Sequence, residues 1–478
     1  MITTITDFCN AYFNNNTSVV IALAAQGSDR QYYRVTNNNT TYIAVYSADV
    51  KENEAFIKFS LHFVQSKVPV PTILHFNNER TIYLQNDFGT TCLFDVLNQQ
   101  GFTNEVYALY QQTLKDLANM QIQGVKGFDT TYCVAGKEFN RSGFYADLLY
   151  FNYYFVRPTK TPYHKTELLT DFETLSDYLM GANRSFFMHR DFQSRNIMVA
   201  NNAPHFIDYQ GGMLGALQYD VASLLWQAKA QLPYEWRNLL FDYYYEQAKY
   251  QSTQVQDKLT FTDHYNAFVL LRLLQVLGAY GFRGLFEGRP HFVDSIVPAL
   301  ENLKWFVANK RLPLKLNALY EVLNHITQPE FIAQFKVIKA TEVSRLQVTI
   351  TSFSYKRAIP ADASGNGGGF VFDCRGVHNP GRFNEYKKLT GRDKPVQDFL
   401  MTKTLMPQFI KNAQNIVDIA VQDYLTRDFE NLMINFGCTG GQHRSVFSAD
   451  TMANYLRERY NLKVTVTHTE QEIKGWIN

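Results

Sequence analysis

Charge is scarce in this chain. Asp, Glu, Lys and Arg make up 19% of its 478 residues, against about a quarter in ordinary soluble domains. Lys plus Arg (46) nearly balances Asp plus Glu (44), a net charge of +2. So small an imbalance argues against a protein built to coat a polyanion. Cysteine is sparse too. Cys9, Cys92, Cys133, Cys374 and Cys438 are scattered, with no C-x-x-C pair and no Cys/His cluster, so neither a disulfide framework nor a zinc site is indicated. Gly at 26 and Pro at 14 exclude fibrous and low-complexity classes. Residues 1–16 lack the basic flank and apolar segment of a signal peptide. The longest apolar stretch, 268–281, is interrupted by Arg272 and Gln275 and reads as too short for a bilayer. A reducing cytoplasm and no membrane partner are the expectation.

Aromatic residues are abundant, 15% of the chain with 30 Tyr and 37 Phe, enough apolar surface for sizeable cores. At about 100–200 residues per domain the length predicts two to four domains. The first 50 residues alternate like strands around the polar turn Gln26-Gly27-Ser28-Asp29-Arg30: 18–24, 32–35 and 41–46. Helical spacing follows over 53–65. A strand at 81–85 ends in Asn86-Asp87-Phe88-Gly89, and 105–179 is mostly helical. Residues 186–210 form two short apolar runs around a polar loop, and 220–324 is again helical. Segment 328–344 reads as a linker. Beyond it, strands at 348–355, 370–374, 431–436 and 463–468 alternate with helices at 395–406 (ended by Pro407), 416–428 and 445–460. That alternation predicts an α/β unit with a largely parallel sheet.

The strongest local signal is His189-Arg190-Asp191-Phe192-Gln193-Ser194-Arg195-Asn196, followed twelve residues later by Asp208. This is the H-R-D-x-x-x-x-N and distal D of kinase-type phosphoryl transfer. Asp191 suits acceptance of a proton from an attacking hydroxyl. Asn196 and Asp208 supply the hard oxygens that magnesium prefers, and the apolar runs between them predict a hairpin with both on one side. His189 reads as loop packing. Arg190 and Arg195 read as solvated unless they meet substrate.

These residues, with Ile207-Asp208-Tyr209-Gln210-Gly211 and Leu217-Gln218-Tyr219-Asp220-Val221-Ala222-Ser223-Leu224-Leu225, resemble the aminoglycoside phosphotransferase superfamily. The nearest likeness is to its branch of N-acetylmuramate and N-acetylglucosamine anomeric kinases of cell-wall recycling. Gly27-Ser28-Asp29, Asn86-Asp87-Phe88-Gly89 and Arg272-Leu273-Leu274-Gln275-Val276-Leu277-Gly278 extend the resemblance over about residues 1–325. It implies an α+β two-lobed kinase-like fold, with a small lobe at 1–90 and a helical lobe at 91–327. By the same resemblance Asp191 is the catalytic base, Asn196 and Asp208 hold Mg2+, and Asp220 braces the catalytic loop with His189. Gly27, Ser28, Asp29 and Asn86 would contact ATP. Strand 41–46 has no lysine, so Arg30, Arg34 and Lys51 are the candidates to neutralise nucleotide phosphates, each more readily read as a surface charge. A turn before a helix is the plainer reading of Asn86 and Asp87.

A second constellation follows strand 431–436: Gly437-Cys438-Thr439-Gly440-Gly441-Gln442-His443-Arg444-Ser445, then a helix. A Gly-rich turn into a helix N-terminus binds anions through converging amides, and Arg444 could fork onto phosphate oxygens. The Cys438–Arg444 spacing also equals the C-x5-R of cysteine phosphatases, with Asp373 or Asp393 as the acid. This segment, with Phe353-Ser354-Tyr355-Lys356, Phe372-Asp373-Cys374-Arg375, Asn379-Pro380 and 389–396, resembles the C-terminal domain of the RNase adapter RapZ over 345–478. The resemblance implies a smaller α/β domain binding a phosphorylated amino sugar or its nucleotide derivative through this loop and Arg375. The resemblance also implies RNA as a partner, and the replacement of RapZ's usual N-terminal domain counts against that implication. From Arg345 onward Lys/Arg number 17 against 13 Asp/Glu, short of a strong nucleic-acid footprint. Residues 365–369 read as a loop beside the site. The expectation is an ATP- and Mg2+-dependent amino-sugar kinase fused to a sensor domain, with an RNA-binding regulator and a cysteine phosphatase as alternatives.

Overall fold

A computed structural model describes residues 1–23, 30–365 and 368–475. The chain divides into two units, Met1–Phe335 and Lys336–Asn478.

In the first unit, a helix that strand-like alternation did not foretell, Ile2–Phe13, precedes β1 (Val19–Ala22). β2 (Gln31–Asn37) and β3 (Thr40–Tyr46) form a hairpin. Its turn residues Asn38 and Asn39 both have positive φ, 47° and 62°, the conformation that matches strand twist and that Asn tolerates. With β4 (Ile73–Phe76) and β5 (Ile82–Asn86) they make an antiparallel sheet in the order β1-β2-β3-β5-β4. The helix Val50–Gln65 starts where the Asp49 side chain accepts from Glu52 N at 3.0 Å, and it buries Phe56, Phe59 and Phe63.

The rest of the unit is helical, with two small two-stranded sheets. β6 (Phe186–Met188) pairs with β9 (Met213–Gly215), and β7 (Ile197–Ala200) with β8 (Ala203–Phe206). The helix Lys258–Tyr280, extended by the π-helical turn Gly281–Phe286, corrects the length read from 268–281. By length and composition alone it could cross a membrane. Here it is a core helix, burying residues on all sides from Phe261 to Gly278. It lies so close to the helix Arg141–Phe151 and its continuation that a Cβ on Gly278 would meet Tyr150 Cδ1 at 2.8 Å, and one on Gly281 would overlap Tyr154 O. Only glycine permits that approach.

The second unit holds an all-parallel sheet in the order β11-β12-β10-β13, from β10 (Gln347–Ser354), β11 (Phe370–Asp373), β12 (Asn431–Cys438) and β13 (Lys463–His468). Pro407 does not end a long helix. One helix stops at Lys403, and Pro407 sits in the first turn of the next, Met406–Thr426, where its missing N–H costs nothing. The division between units falls at Phe335, within 328–344, and that segment also contains the helix Pro329–Ala333 with Phe331 and Ile332 buried.

Candidate functional site

The loop between β6 and β7 is held by one buried carboxylate. Asp220, in the helix Leu217–Leu225, is fully buried and accepts from His189 N at 2.8 Å, Arg190 N at 3.0 Å and Gln121 Nε2 at 3.0 Å. Burial pushes its carboxyl above the ordinary range, while these donors pull the other way. His189 Nε2 lies 3.0 Å from Ile207 O. A carbonyl can only accept, so Nε2 carries the proton, and the contact ties the loop to the residue before Asp208.

Arg190 is not the solvated arginine its loop position suggested. Its backbone is left-handed at φ 78°, a strained state for a side chain of this size. Its guanidinium donates to both Asp147 oxygens at 2.9 Å and to Tyr219 Oη at 2.6 Å, and stacks 3.9 Å from the centre of the Phe139 ring. The residue that follows is Asp191, half exposed. Arg272 Nη2 donates to Asp191 Oδ1 at 3.0 Å, and Gln193 Nε2 donates to the same oxygen. Arg272 comes from the long core helix and also contacts Gln275 Oε1 at 2.7 Å and Tyr219 Oη at 3.3 Å.

Asn196 donates through Nδ2 to Asp191 O at 2.9 Å and to Asp191 Oδ2 at 3.4 Å. Its Oδ1 is left without a hydrogen bond among the described residues. Across the hairpin, Ile207 N donates to Asn196 O at 3.1 Å, placing Asp208 beside Asn196. Asp208 is left-handed at φ 66° and accepts from Gln210 Nε2 at 2.7 Å on Oδ1. Burial pushes its carboxyl above the ordinary range, Gln210 opposes that, and the charge of Asp191 adds to it. Tyr209 anchors the strained turn, stacking on Phe56 at 4.9 Å and bonding Ser60 Oγ at 2.6 Å. Asn196 Oδ1 and the half-buried Asp208 carboxylate fit a divalent cation completed by phosphate and water oxygens. Among the described residues no three His, Cys, Asp or Glu side chains gather as a self-sufficient metal cage.

Gly27, Ser28 and Asp29 lie outside the described residues. Of the three cation candidates, Arg30 is the buried one, 4% exposed, donating from Nη2 to Glu52 Oε2 at 2.9 Å. Its charge acts on Asp208, and among the described residues its Nε has no hydrogen-bond partner. The surface-charge reading of Arg30 is therefore corrected. Arg34 is paired with Asp87 at 2.6 Å. Asn86 ends β5, and its Oδ1 accepts from Thr72 N at 2.7 Å.

Sequence reasoning quoted Arg272 but gave it no role. The signal was available: a lone arginine inside an apolar helical run must find a partner, and that partner is Asp191.

In the second unit, β12 runs through Gly437 and Cys438, and the helix Arg444–Tyr460 begins six residues later. Thr439 and Gly440 are exposed, and Gly441 turns at φ 63°. Gln442, His443 and Arg444 hold neighbouring chain rather than open space. Gln442 Nε2 donates to Leu389 O at 2.7 Å and Lys387 O at 3.0 Å. His443 Nε2 lies 2.9 Å from Tyr386 O. Arg444, 4% exposed, donates from Nη1 to Val377 O at 2.7 Å and Arg375 O at 3.2 Å, so its guanidinium is not the exposed fork expected. Arg375 pairs with Asp373 at 2.6 Å and stacks 3.9 Å from the Tyr355 ring centre. Cys438 is 2% exposed, with Sγ 3.2 Å from Ser445 Oγ. The two acids proposed for a phosphatase are engaged: Asp373 with Arg375, and Asp393 accepting from Thr390 N at 2.6 Å.

Comparison with known proteins divides the chain at the same place. Residues 19–254 match the phosphotransferase enzyme family, and residues 346–472 match the RapZ C-terminal domain. Curated relatives of the chain include several named nucleotide-binding protein. One from Alkaliphilus oremlandii is 33% identical over 136 residues, 28% of this chain and 45% of that protein. One from Thermosipho africanus is 37% identical over 115 residues, 24% of this chain and 39% of that protein. The chain thus spans under half the length of these relatives. Solved structures similar to the chain include a thermostable mutant of aminoglycoside phosphotransferase APH(4)-Ia, at TM-score 0.42 and 16% identity over 62% of this chain and 97% of that one. Choline kinase LicA from Streptococcus pneumoniae matches at TM-score 0.41 and 13% identity over 63% and 97%. The chain thus carries a match to the phosphotransferase enzyme family over residues 19–254 and a match to the RapZ C-terminal domain over residues 346–472.

Proposed function

We propose that the protein is an ATP-dependent phosphotransferase acting on a hydroxyl of an N-acetylated amino sugar, the anomeric hydroxyl by preference. Its C-terminal domain binds a phosphorylated amino sugar or its nucleotide derivative. The observation that carries the reading is the meeting of Asp191, Asn196 and Asp208 around one hairpin.

The chemistry follows from what each group can do. Asp191, oriented by Arg272 and Gln193, accepts the proton of the acceptor hydroxyl as its oxygen attacks the γ-phosphorus. The bond to the bridging oxygen breaks, and ADP leaves. Asn196 Oδ1 and Asp208 Oδ2 are the atoms that would hold Mg2+, which when bound there neutralises charge on the transferring phosphoryl group. Arg30, buried against Glu52, is the cation offered to the nucleotide phosphates in place of the missing lysine. The amino-sugar acceptor is supported by the co-occurrence of two amino-sugar-related resemblances in one chain. In the second domain, exposed Thr439 and Gly440 with Arg375 offer the anion contacts, while Gln442, His443 and Arg444 hold the loop in shape. A thiol as buried as Cys438 and an arginine bound to two carbonyls weigh against the phosphatase reading.

A panel of N-acetylated and free amino sugars with ATP, with products resolved by phosphorus NMR, tests this. Asp191→Asn should lower turnover by ~10²-fold or more. Undiminished turnover in that variant would remove Asp191 from the mechanism.

A further inference from the structure

Asp220 grips the catalytic loop at its entry, and seven residues further along the chain Gln227 grips it at its exit. Gln227 is buried just beyond the helix Leu217–Leu225. Its Oε1 accepts from Ser194 Oγ at 2.6 Å and from Ser194 N at 2.9 Å. Ser194 is fully buried, so its N–H and O–H both need an acceptor inside the protein. One side-chain oxygen supplies it for the two. Ser194 opens the 3-10 turn Ser194–Asn196, and the last residue of that turn carries the amide oxygen read as a metal ligand.

The turn fixes which way the Asn196 amide lies. Asn196 N donates to Gln193 O at 2.8 Å, and the side-chain nitrogen donates to Asp191 O at 2.9 Å. A carbonyl only accepts, so Oδ1 is the atom left for a cation. Gln227 is itself held from behind. Asn302 Nδ2 donates to Trp226 O at 3.1 Å, and Asn302 Oδ1 accepts from Arg237 Nη2 at 2.9 Å. Arg237 is buried, 4.6 Å from the ring centres of both Trp226 and Tyr234, and its Nε donates to Leu232 O at 2.9 Å. No carboxylate pairs with it among the described residues. Its polar contacts are spent on fixing the chain on either side of Gln227.

We propose that Gln227 is a positioning residue for the divalent-cation site: through Ser194 it sets where Asn196 Oδ1 stands relative to Asp208. The inference rests on the reading of Asn196 and Asp208 as the cation's ligands. Asp208 has its own anchor, since the Tyr209 next to it stacks on Phe56 and bonds Ser60. Without Gln227, Ser194 holds two buried donors and no acceptor, and the turn must shift to pair or hydrate them. Such a shift moves one ligand and leaves the other in place. Groups that orient a metal's ligands typically control about 10–100-fold in affinity. Only Oε1 is used in the grip, and Nε2 makes no hydrogen bond among the described residues. A carboxylate at this position would therefore serve as well.

Calorimetric titration of the full chain with AMP-PNP, once with Mg2+ and once with EDTA, tests it. The ratio of the two affinities is the cation's contribution, and the part lost in Asp208→Asn belongs to this site. Gln227→Leu, close in size but without an acceptor, should cut that ratio by ~10-fold or more while the affinity in EDTA stays within ~2-fold. Ser194→Ala keeps the N–H bond and should cut the ratio by ~3-fold, which carries the test if the leucine variant does not fold. Gln227→Glu should keep the wild-type ratio or exceed it. Three results would overturn the proposal: a ratio unchanged in both Gln227→Leu and Ser194→Ala, an equal loss with Mg2+ and with EDTA, which marks a general loosening of the fold, or a glutamate variant as impaired as the leucine one. A wild-type ratio no larger than that of Asp208→Asn is a different failure. It would refute Asn196 and Asp208 as the cation's ligands, and the role of Gln227 would fall with them.

Discussion

Replacing Asp220 by Ala should both destabilise the first unit and slow any chemistry at Asp191. The wild-type carboxylate is fully buried and accepts from three buried donors, the N–H groups of His189 and Arg190 and the Gln121 amide. Each donor left without an acceptor costs about 1–3 kcal/mol. The carboxylate's own burial penalty, which raises its pKa, disappears with it, so the low end of the sum applies: a loss of about 3 kcal/mol. The two orphaned amides flank the loop that carries Asp191. Its displacement by even an ångström would cost about 10²-fold in turnover. Urea unfolding followed by tryptophan fluorescence reads the first effect, since Trp226, Trp236 and Trp305 all lie in the first unit. Asp220→Asn keeps one accepting oxygen and should fall between wild type and Ala in both measurements. A stability loss within about 0.5 kcal/mol, the range of an ordinary surface change, with turnover intact, would refute the bracing role.

Other outcomes follow from the same geometry. Arg30→Gln should raise the KM for ATP by about 10–100-fold, the loss of one charge-assisted contact, and an unchanged KM in steady-state kinetics would return the phosphate contact to another cation. Burial raises the Asp208 pKa above its ordinary value of 3.8. Between those two values the folded state holds a proton that the unfolded chain has lost. The stability of the metal-free protein therefore falls as pH rises through that window, and divalent-cation affinity strengthens over the same window. Calorimetric titration with Mg2+ across mildly acidic to neutral pH checks this, and pH-independent binding would count against Asp208 as the ligand. Gly391→Ala would drive a Cβ into His443 O and Phe447 N, at a cost of about 1–3 kcal/mol. Thermal unfolding should show a lowered transition, with weaker sugar-phosphate binding at the adjoining loop.

The grouping of Asp191, Asn196 and Asp208 was legible because the three lie at short chain separations. Asp191 and Asn196 are five residues apart, and Asp208 is reached by a single hairpin turned at Asn201 and Asn202. Local patterning was enough to place them on one side. Arg190 and Arg30 were misjudged for the opposite reason. Whether an arginine is solvated or buried depends on partners far away in sequence, Asp147 for the first and Glu52 for the second. The helix Ile2–Phe13 escaped although Ile5, Phe8, Cys9, Tyr12 and Phe13 recur at helical spacing, because positions between them hold Thr6, Asp7 and Asn10, which favour helices weakly. Pro407 was read as a stop because proline breaks helix interiors, although it is equally at home in a first turn.

The sequence by itself determined the two-part architecture and the parallel sheet of the second unit, and it put Asp191, Asn196 and Asp208 within one short stretch. Periodicity and short-range motifs carry that information in the order of the residues. Only the tertiary structure decided that Arg272 reaches Asp191, that Asp220 gathers two loop amides, and that Arg444 faces carbonyls. Each of these is a contact between charges or donors distant along the chain, brought together when apolar helices and strands bury their faces and leave every enclosed polar group to find a partner.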